Sequence, residues 1–215
     1  MGLTAELYFS FRSPYSYLAV GRYRQMTEDY AVEIALRPVY PLAIREPDFF
    51  ERSHPNWLRY TFTDMFRVAQ MEGIPFGPPR PDPIVQNPAT LEIAAEQPYI
   101  RQITRLGQAA ARRGKGLAFA HEAGKLIWGG AQDWHEGEHL AKAAAEAGLD
   151  LAELDAEVAG EPDALDSEIA VNQQALEDAG HWGVPTLVFD GEPFFGQDRI
   201  AMAKWRMEQK GLAFR

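Results

Sequence analysis

The chain has 215 residues, a formal net charge of −10 and no cysteine. That acidity excludes nucleic acid as a partner, because phosphate contacts need clustered Lys and Arg, and the missing thiols exclude disulfides, thiolate metal ligands and dithiol exchange by this chain. With 46% hydrophobic and 24% charged residues, and no run near the roughly 18 apolar residues of a membrane span, the composition is that of a globular protein that does not insert into membranes.

Met1 to Glu6 passes straight into an apolar run without a signal-peptide core, so the expected location is the cytoplasm. Leu3 to Phe9 reads as a buried strand. A helix follows, with Tyr15, Leu18, Ala19, Tyr23 and Met26 on one face, ending near Glu28-Asp29. Val32 to Arg37 alternates with period two and reads as a second, parallel strand. Pro38 and Pro41 close this β-α-β unit, and Pro47 and Pro55 keep the next segment irregular.

Trp57 to Ala69 has helical spacing until Gly73 and Ile74-Pro75 stop it. Residues 75 to 88 carry six prolines, too many for a regular element; a loop of that length is usually functional or a covering segment. Asn87-Pro88 predicts the cap of a short helix, and further helices are predicted from Gln97-Pro98 to Arg113, Gly116 to Trp128, Asp133 to Gly148, Asp150 to Ala159 and Ser167 to Ala179. The cations of Arg112-Arg113-Gly114-Lys115 read as the dipole-complementing end of a helix. Thr186 to Phe189 and Glu192 to Phe195 flank Asp190-Gly191, a strong hairpin signal. A last helix runs from Arg199 to about Lys210. The pattern βαβ…ββα predicts an α/β fold with one mixed sheet built from residues 1–42 and 176–215, interrupted by a helical subdomain over residues 43–175.

Ser13-Pro14-Tyr15-Ser16 stands where the first strand meets the first helix. Ser13 is a natural N-cap and Pro14 suits the first helical position, so the Ser13 hydroxyl lies beside unpaired backbone N–H groups, where an anion is favoured. The motif has the spacing of Cys-x-x-Cys with oxygen in place of both sulfurs. The electrostatics that stabilise a thiolate remain, and the thiolate then belongs to a cofactor. His135-Glu136-Gly137-Glu138-His139 matches the H-E-x-x-H zinc pattern, with Asp155 or Glu157 as a third ligand. Gly137 weakens the helix at its centre, so the expectation is two exposed histidines in a first helical turn and no metal.

Three stretches carry a family resemblance: Phe9 to Ala19, Gly183-Val184-Pro185-Thr186 and Phe195-Gly196-Gln197-Asp198-Arg199, supported by Tyr60, Asp64 and Gly73-Ile74-Pro75. The chain resembles the 2-hydroxychromene-2-carboxylate isomerase family, close to the kappa-class glutathione transferases, within the DsbA-like thioredoxin superfamily. The resemblance implies a thioredoxin-like fold and a glutathione-dependent isomerase acting on an aromatic carboxylate of the ring-fission type. Ser13 is the implied catalytic residue, holding the glutathione sulfur as thiolate. Tyr15, Asn56, Val184, a cis Pro185, Gln197 and Asp198 complete the implied glutathione site. Val184 offers its backbone to the cysteinyl part, and Gln197 and Asp198 take the γ-glutamyl end. Arg12, Trp57 and Tyr60 are the implied substrate pocket, beside which His121 is a further candidate. Trp57, with Arg59 nearby, occupies a place where family members often carry lysine. A homodimer is implied by resemblance alone. The alternatives are a transferase-like conjugation at the same site and a non-catalytic thioredoxin-fold binding protein.

Overall fold

Alternation along two strands decides which side of the sheet is sealed. In the computed structural model, which describes residues 2–46, 49–87, 90 and 92–215 (the side chains of 50, 51 and 55 excepted), β1 (Leu3–Phe9) pairs in parallel with β2 (Val32–Pro38) from Leu3–Val32 to Phe9–Pro38. Ala5, Leu7, Val32, Ile34 and Leu36 are buried, whereas Thr4, Glu33 and Ala35 on the opposite face are exposed. Helix α1 (Pro14–Asp29) joins the two strands and buries Leu18, Val20, Tyr23 and Met26.

The end of the chain completes the sheet. β3 (Thr186–Phe189) lies antiparallel to β1, and β4 (Glu192–Phe195) antiparallel to β3, giving the order β2-β1-β3-β4. Asp190 and Gly191 both have positive φ, 52° and 78°, the backbone that a two-residue hairpin loop needs. Pro193 sits on the outer strand, where a missing N–H is tolerated. A 3₁₀ turn, Gln197–Arg199, leads into the last helix, Ile200–Gln209.

Between these parts come α2 (Leu42–Arg45), α3 (Phe49–Arg52), α4 (Pro55–Glu72), α5 (Pro98–Arg112), α6 (Gly116–Trp128), α7 (His139–Glu146), α8 (Leu151–Gly160) and α9 (Pro162–Asp178), so that the last helix is α10. The helical region shares one core with the sheet: Leu7, Leu36, Leu106, Phe119 and Ile169 belong to the same buried cluster. Close approach is built in at Gly107, where a Cβ would stand 2.5 Å from the Phe11 ring. Among the described residues no helix is long and apolar enough to cross a membrane.

Several boundaries differ from the sequence reading, each for a local reason. The stretch after Pro41 is not wholly irregular but forms the single turns α2 and α3. The helix expected from Asp133 starts only at His139, because Asp133 (φ 48°) and Gly137 (φ 59°) adopt left-handed backbone. The helix expected from Ser167 starts at Pro162, which takes the first helical position. The short helix expected after Asn87-Pro88 falls on residues outside those described; Gln86 and Ile93, on either side, form an antiparallel bridge.

Polar ties hold the helices to β2. Asn172 is buried and donates to the Pro38 carbonyl (3.0 Å) and to Gln108. Asp166 on α9 accepts from Arg105 (2.8 and 2.7 Å) and from the Tyr40 hydroxyl (2.6 Å). The Arg105 hydrogen bonds hold the Asp166 carboxyl below its ordinary range, against the opposing effect of burial. Arg112 and Arg113 do more than end α5: they bind Glu157 on α8, and Arg112 also binds Glu168 on α9.

Asp166→Asn should cost about 2 kcal/mol at pH 7, since it removes a charge-assisted pair in a partly buried place. The folded-state pKa of Asp166 lies below the unfolded one, so this stabilisation is present above about pH 4 and is lost as the pH falls further. Urea melts of both proteins at pH 7 and pH 3 should show the gap closing at the lower pH.

Candidate functional site

Ser13 caps α1 in an extended conformation (φ −92°, ψ 116°), with Pro14 following and no acidic residue in the first turn. Its Oγ accepts from the Ser16 backbone N–H (3.2 Å) and donates to the Val184 carbonyl (3.3 Å). This hydrogen bond brings together residues 171 positions apart in the chain. The Val184–Pro185 peptide is cis. The Pro185 carbonyl accepts from Gly196 N–H (2.8 Å), tying the cis-proline loop to the start of the Gln197 turn. Gly196 has φ 105°, and a Cβ there would stand 2.5 Å from an Asp198 oxygen, so glycine is required.

The neighbouring helix is attached through Tyr15. The Tyr15 hydroxyl donates to Asp64 on α4 (2.7 Å), which also accepts from Tyr60 (3.1 Å). Burial, reinforced by the Asp64 carboxylate, pushes the Tyr15 phenol well above its ordinary range, so it stays a neutral donor. One turn of the same electrostatic environment includes Asp198, whose charge also bears on Tyr15.

Arg12 is fixed by the proline-rich loop. Its Nε and Nη2 donate to the two carboxylate oxygens of Asp82, at 2.5 and 2.6 Å, and its guanidinium lies 5.4 Å from the Trp128 ring centre. Trp128 in turn donates to the Phe11 carbonyl and stacks on Phe76. Asp82 also accepts from Ile84 N–H, so one carboxylate shapes the loop and anchors it beside Ser13.

The structure thus gathers Ser13, Tyr15, Val184 and Pro185 at one junction, with Tyr60, Gln197 and Asp198 connected to it through Asp64, Gly196 and Tyr15. The Gln197 side chain is buried and its Oε1 accepts from Arg22 (3.1 Å). Asp198 pairs with its neighbour Arg199 (2.5 Å). Asn56 and Trp57 stand on the exposed first turn of α4, Trp57 with its ring edge-on to Phe49 (5.7 Å). His121 lies between α1 and α6, against Arg24 and Glu122. His135 and His139 are separated by the Gly137 turn and do not share a helix face, and no group of three potential metal ligands occurs among the described residues.

Sequence reasoning missed Arg22, which donates to Gln197 and approaches Glu72 (3.6 Å), and also Asp82 and His181. Asp82 carried no signal, since it acts from an irregular loop. His181 is stacked between Trp182 (4.6 Å) and Phe195 (4.0 Å), and its Nδ1 accepts from Gly183 N–H (2.9 Å). The proton of the neutral ring is therefore on Nε2. Its place, three residues before Val184, was the only available hint.

A strand running into a capped helix, faced by a cis-proline loop on an antiparallel hairpin, defines a thioredoxin-type site. The DsbA-like thioredoxin domain matches residues 4–208, and the chain belongs to that family. Among solved structures, it is similar to a 2-hydroxychromene-2-carboxylate isomerase (22% identity, 96% of this chain and 95% of the other, TM-score 0.72). It is also similar to a probable DsbA oxidoreductase from Streptomyces coelicolor (17%, 96% and 89%, 0.67). A third is the cytosolic disulfide reductase DsbM from Pseudomonas aeruginosa, in a structure with GSH (20%, 96% and 100%, 0.62). At these identities the likeness is one of fold. No curated protein sequence matches the chain.

Two outcomes check the site geometry. Asp82→Ala should speed hydrogen exchange of the amides in residues 77–86 by about 10- to 100-fold, since a charge-assisted pair contributes about 1.5–3 kcal/mol. Burial pushes the His181 pKa down from 6.5, so its ring proton shift should titrate below that value. Because the folded state binds this proton less well than the unfolded chain, His181 lowers stability as the pH falls below about 6.5.

Proposed function

We propose that the chain is a glutathione-dependent isomerase of a 2-hydroxychromene-2-carboxylate-like ring-fission substrate. The observation that carries this reading is the Ser13 hydroxyl, held at a helix N-cap against the Val184 carbonyl. Both groups of that 3.3 Å contact are the ones a cysteinyl ligand needs. When glutathione binds, the hydroxyl turns its hydrogen to the sulfur, and the freed Val184 carbonyl accepts the cysteinyl N–H in the manner of an added strand. The Tyr15 N–H, without a protein acceptor among the described residues, and the helix dipole favour the thiolate. The protein's lack of cysteine leaves no competing dithiol.

The bound thiolate adds to a C=C conjugated with a carbonyl, and the displaced electron pair moves onto the carbonyl oxygen as an enolate. The carbon–carbon bond, now single, rotates. Collapse of the enolate reforms the double bond and expels the same thiolate, so glutathione is not consumed. Asp82 takes two of the five Arg12 N–H donors, and the rest, without an acceptor among the described residues, can hold a substrate carboxylate. With a substrate that cannot re-eliminate, the same first step ends in conjugation.

Ser13→Ala should leave the melting temperature within a few degrees of the parent but raise the pKa of bound glutathione and lower turnover about 100-fold. Thiolate absorbance of the bound tripeptide against pH, with isomerase rates, checks both. Unaltered turnover removes Ser13 from the mechanism.

A further inference from the structure

We infer that Arg22 is a positioning residue that orders Gln197 to present its amide nitrogen to the α-carboxylate of a γ-glutamyl ligand. The inference rests on the glutathione reading above. It begins from helix geometry. Tyr15 and Arg22 are seven residues apart on α1, nearly two full turns, and so share a face at about 10.5 Å separation. Tyr15 contacts Asp64 (2.7 Å) and Arg22 approaches Glu72 (3.6 Å), eight residues further along α4. The two helices therefore run side by side in the same direction, tied at two places.

The Gln197 turn closes the space at the Arg22 end. Arg22 Nη1 donates both to the Gln197 backbone carbonyl and to its side-chain Oε1, each at 3.1 Å. A guanidinium has only donors, so the amide oxygen must face Arg22 and the NH₂ must face away. Chemistry thus fixes the amide orientation. The Nε2 atom meets no acceptor among the described residues and is not sealed from solvent, although the residue as a whole is buried. An amide held on its oxygen side, with two N–H bonds directed outward, is a receptor for a carboxylate. Asp198, next in sequence and close enough to act on Tyr15, is the complementary acceptor for an ammonium group. Together they suit the zwitterionic end of a γ-glutamyl peptide, and Arg22 is what keeps the amide from turning over.

Both bonds to Gln197 come from one nitrogen, so a lysine ammonium can replace them. The test compares Arg22→Ala, Arg22→Lys and Gln197→Glu in the full chain, using reduced glutathione as the probe. Arg22→Ala should weaken glutathione binding about tenfold and raise its KM, with kcat at saturation within twofold of the parent. Arg22→Lys should restore binding to within threefold. Gln197→Glu keeps an oxygen for Arg22 but replaces the outward N–H pair with a second oxygen, and should weaken binding more than Arg22→Ala while melting like the parent. Parental affinity in Arg22→Ala or Gln197→Glu, or an Arg22→Lys protein as weak as Arg22→Ala, overturns the inference. A parent protein that does not bind glutathione overturns the glutathione reading and the ligand named here. The positioning role is then still decided by the Gln197 side-chain amide resonances, assigned by their loss in Gln197→Glu. A dispersed pair that collapses to the random-coil position in Arg22→Ala upholds it, and an unchanged pair refutes it.

Discussion

The hydrogen bond from Ser13 to the Val184 carbonyl joins the two halves of a split sheet at the place where chemistry is expected. Ser13 belongs to the β1–α1 junction, whereas Val184 precedes β3, and all of the helical region lies between them in the chain. The junction is positioned by the register of β1 against β3, from Glu6–Val188 to Tyr8–Thr186. A one-residue slip in that register would move Val184 along the strand and turn inward-facing side chains outward. Burial of Leu7, Leu187 and Phe189 opposes such a slip. The site is thus held by the sheet core, not by the loop that displays it.

α4 is held quite differently. Of its described side chains only Met65, Val68 and Ala69 are buried, while Trp57, Tyr60, Phe62, Phe66 and Met71 stand exposed. Its attachment to α1 adds to these buried residues two polar ties, Tyr15–Asp64 at the middle of α4 and Arg22–Glu72 at its C-terminal end. Few buried apolar contacts mean a low free energy of local opening. α4 is therefore held less firmly than the sheet core that positions Ser13 and Val184.

The sequence made the strands, α1, α6 and the hairpin legible because each depends on local rules: alternation, a capped start, and a turn that needs positive φ at Asp190 and Gly191. Ser13 could be read for the same reason, since its N-cap role is written in the adjacent Pro14. Asp82 and Arg22 could not. Arg12 and Asp82 are 70 positions apart, and Arg22 and Gln197 are 175 apart; such pairings are set by tertiary packing and leave no periodic trace. The false helix start at Asp133 has the same origin. Trp134 is buried and donates to the Pro81 carbonyl, and this docking of the proline-rich loop prevails over helix propensity.

The replacement of sulfur by oxygen at residues 13 and 16 decides the direction of the chemistry at this junction. A thiolate at an N-cap is itself the nucleophile, and a second thiol one turn later resolves the mixed disulfide it forms. A serine hydroxyl is not ionised there, but it keeps the hydrogen-bond donor, the helix dipole and the strand-like backbone at Val184. Under the proposed function, these are the parts that bind and stabilise a thiolate brought from elsewhere. Ser16 is fully buried, and its hydroxyl meets no partner among the described residues, so it has no route to a ligand and no part in a second step. Under the proposed function, what remains is a site that handles one thiolate at a time and suits reversible addition and elimination, while the absence of cysteine rules out dithiol exchange by this chain.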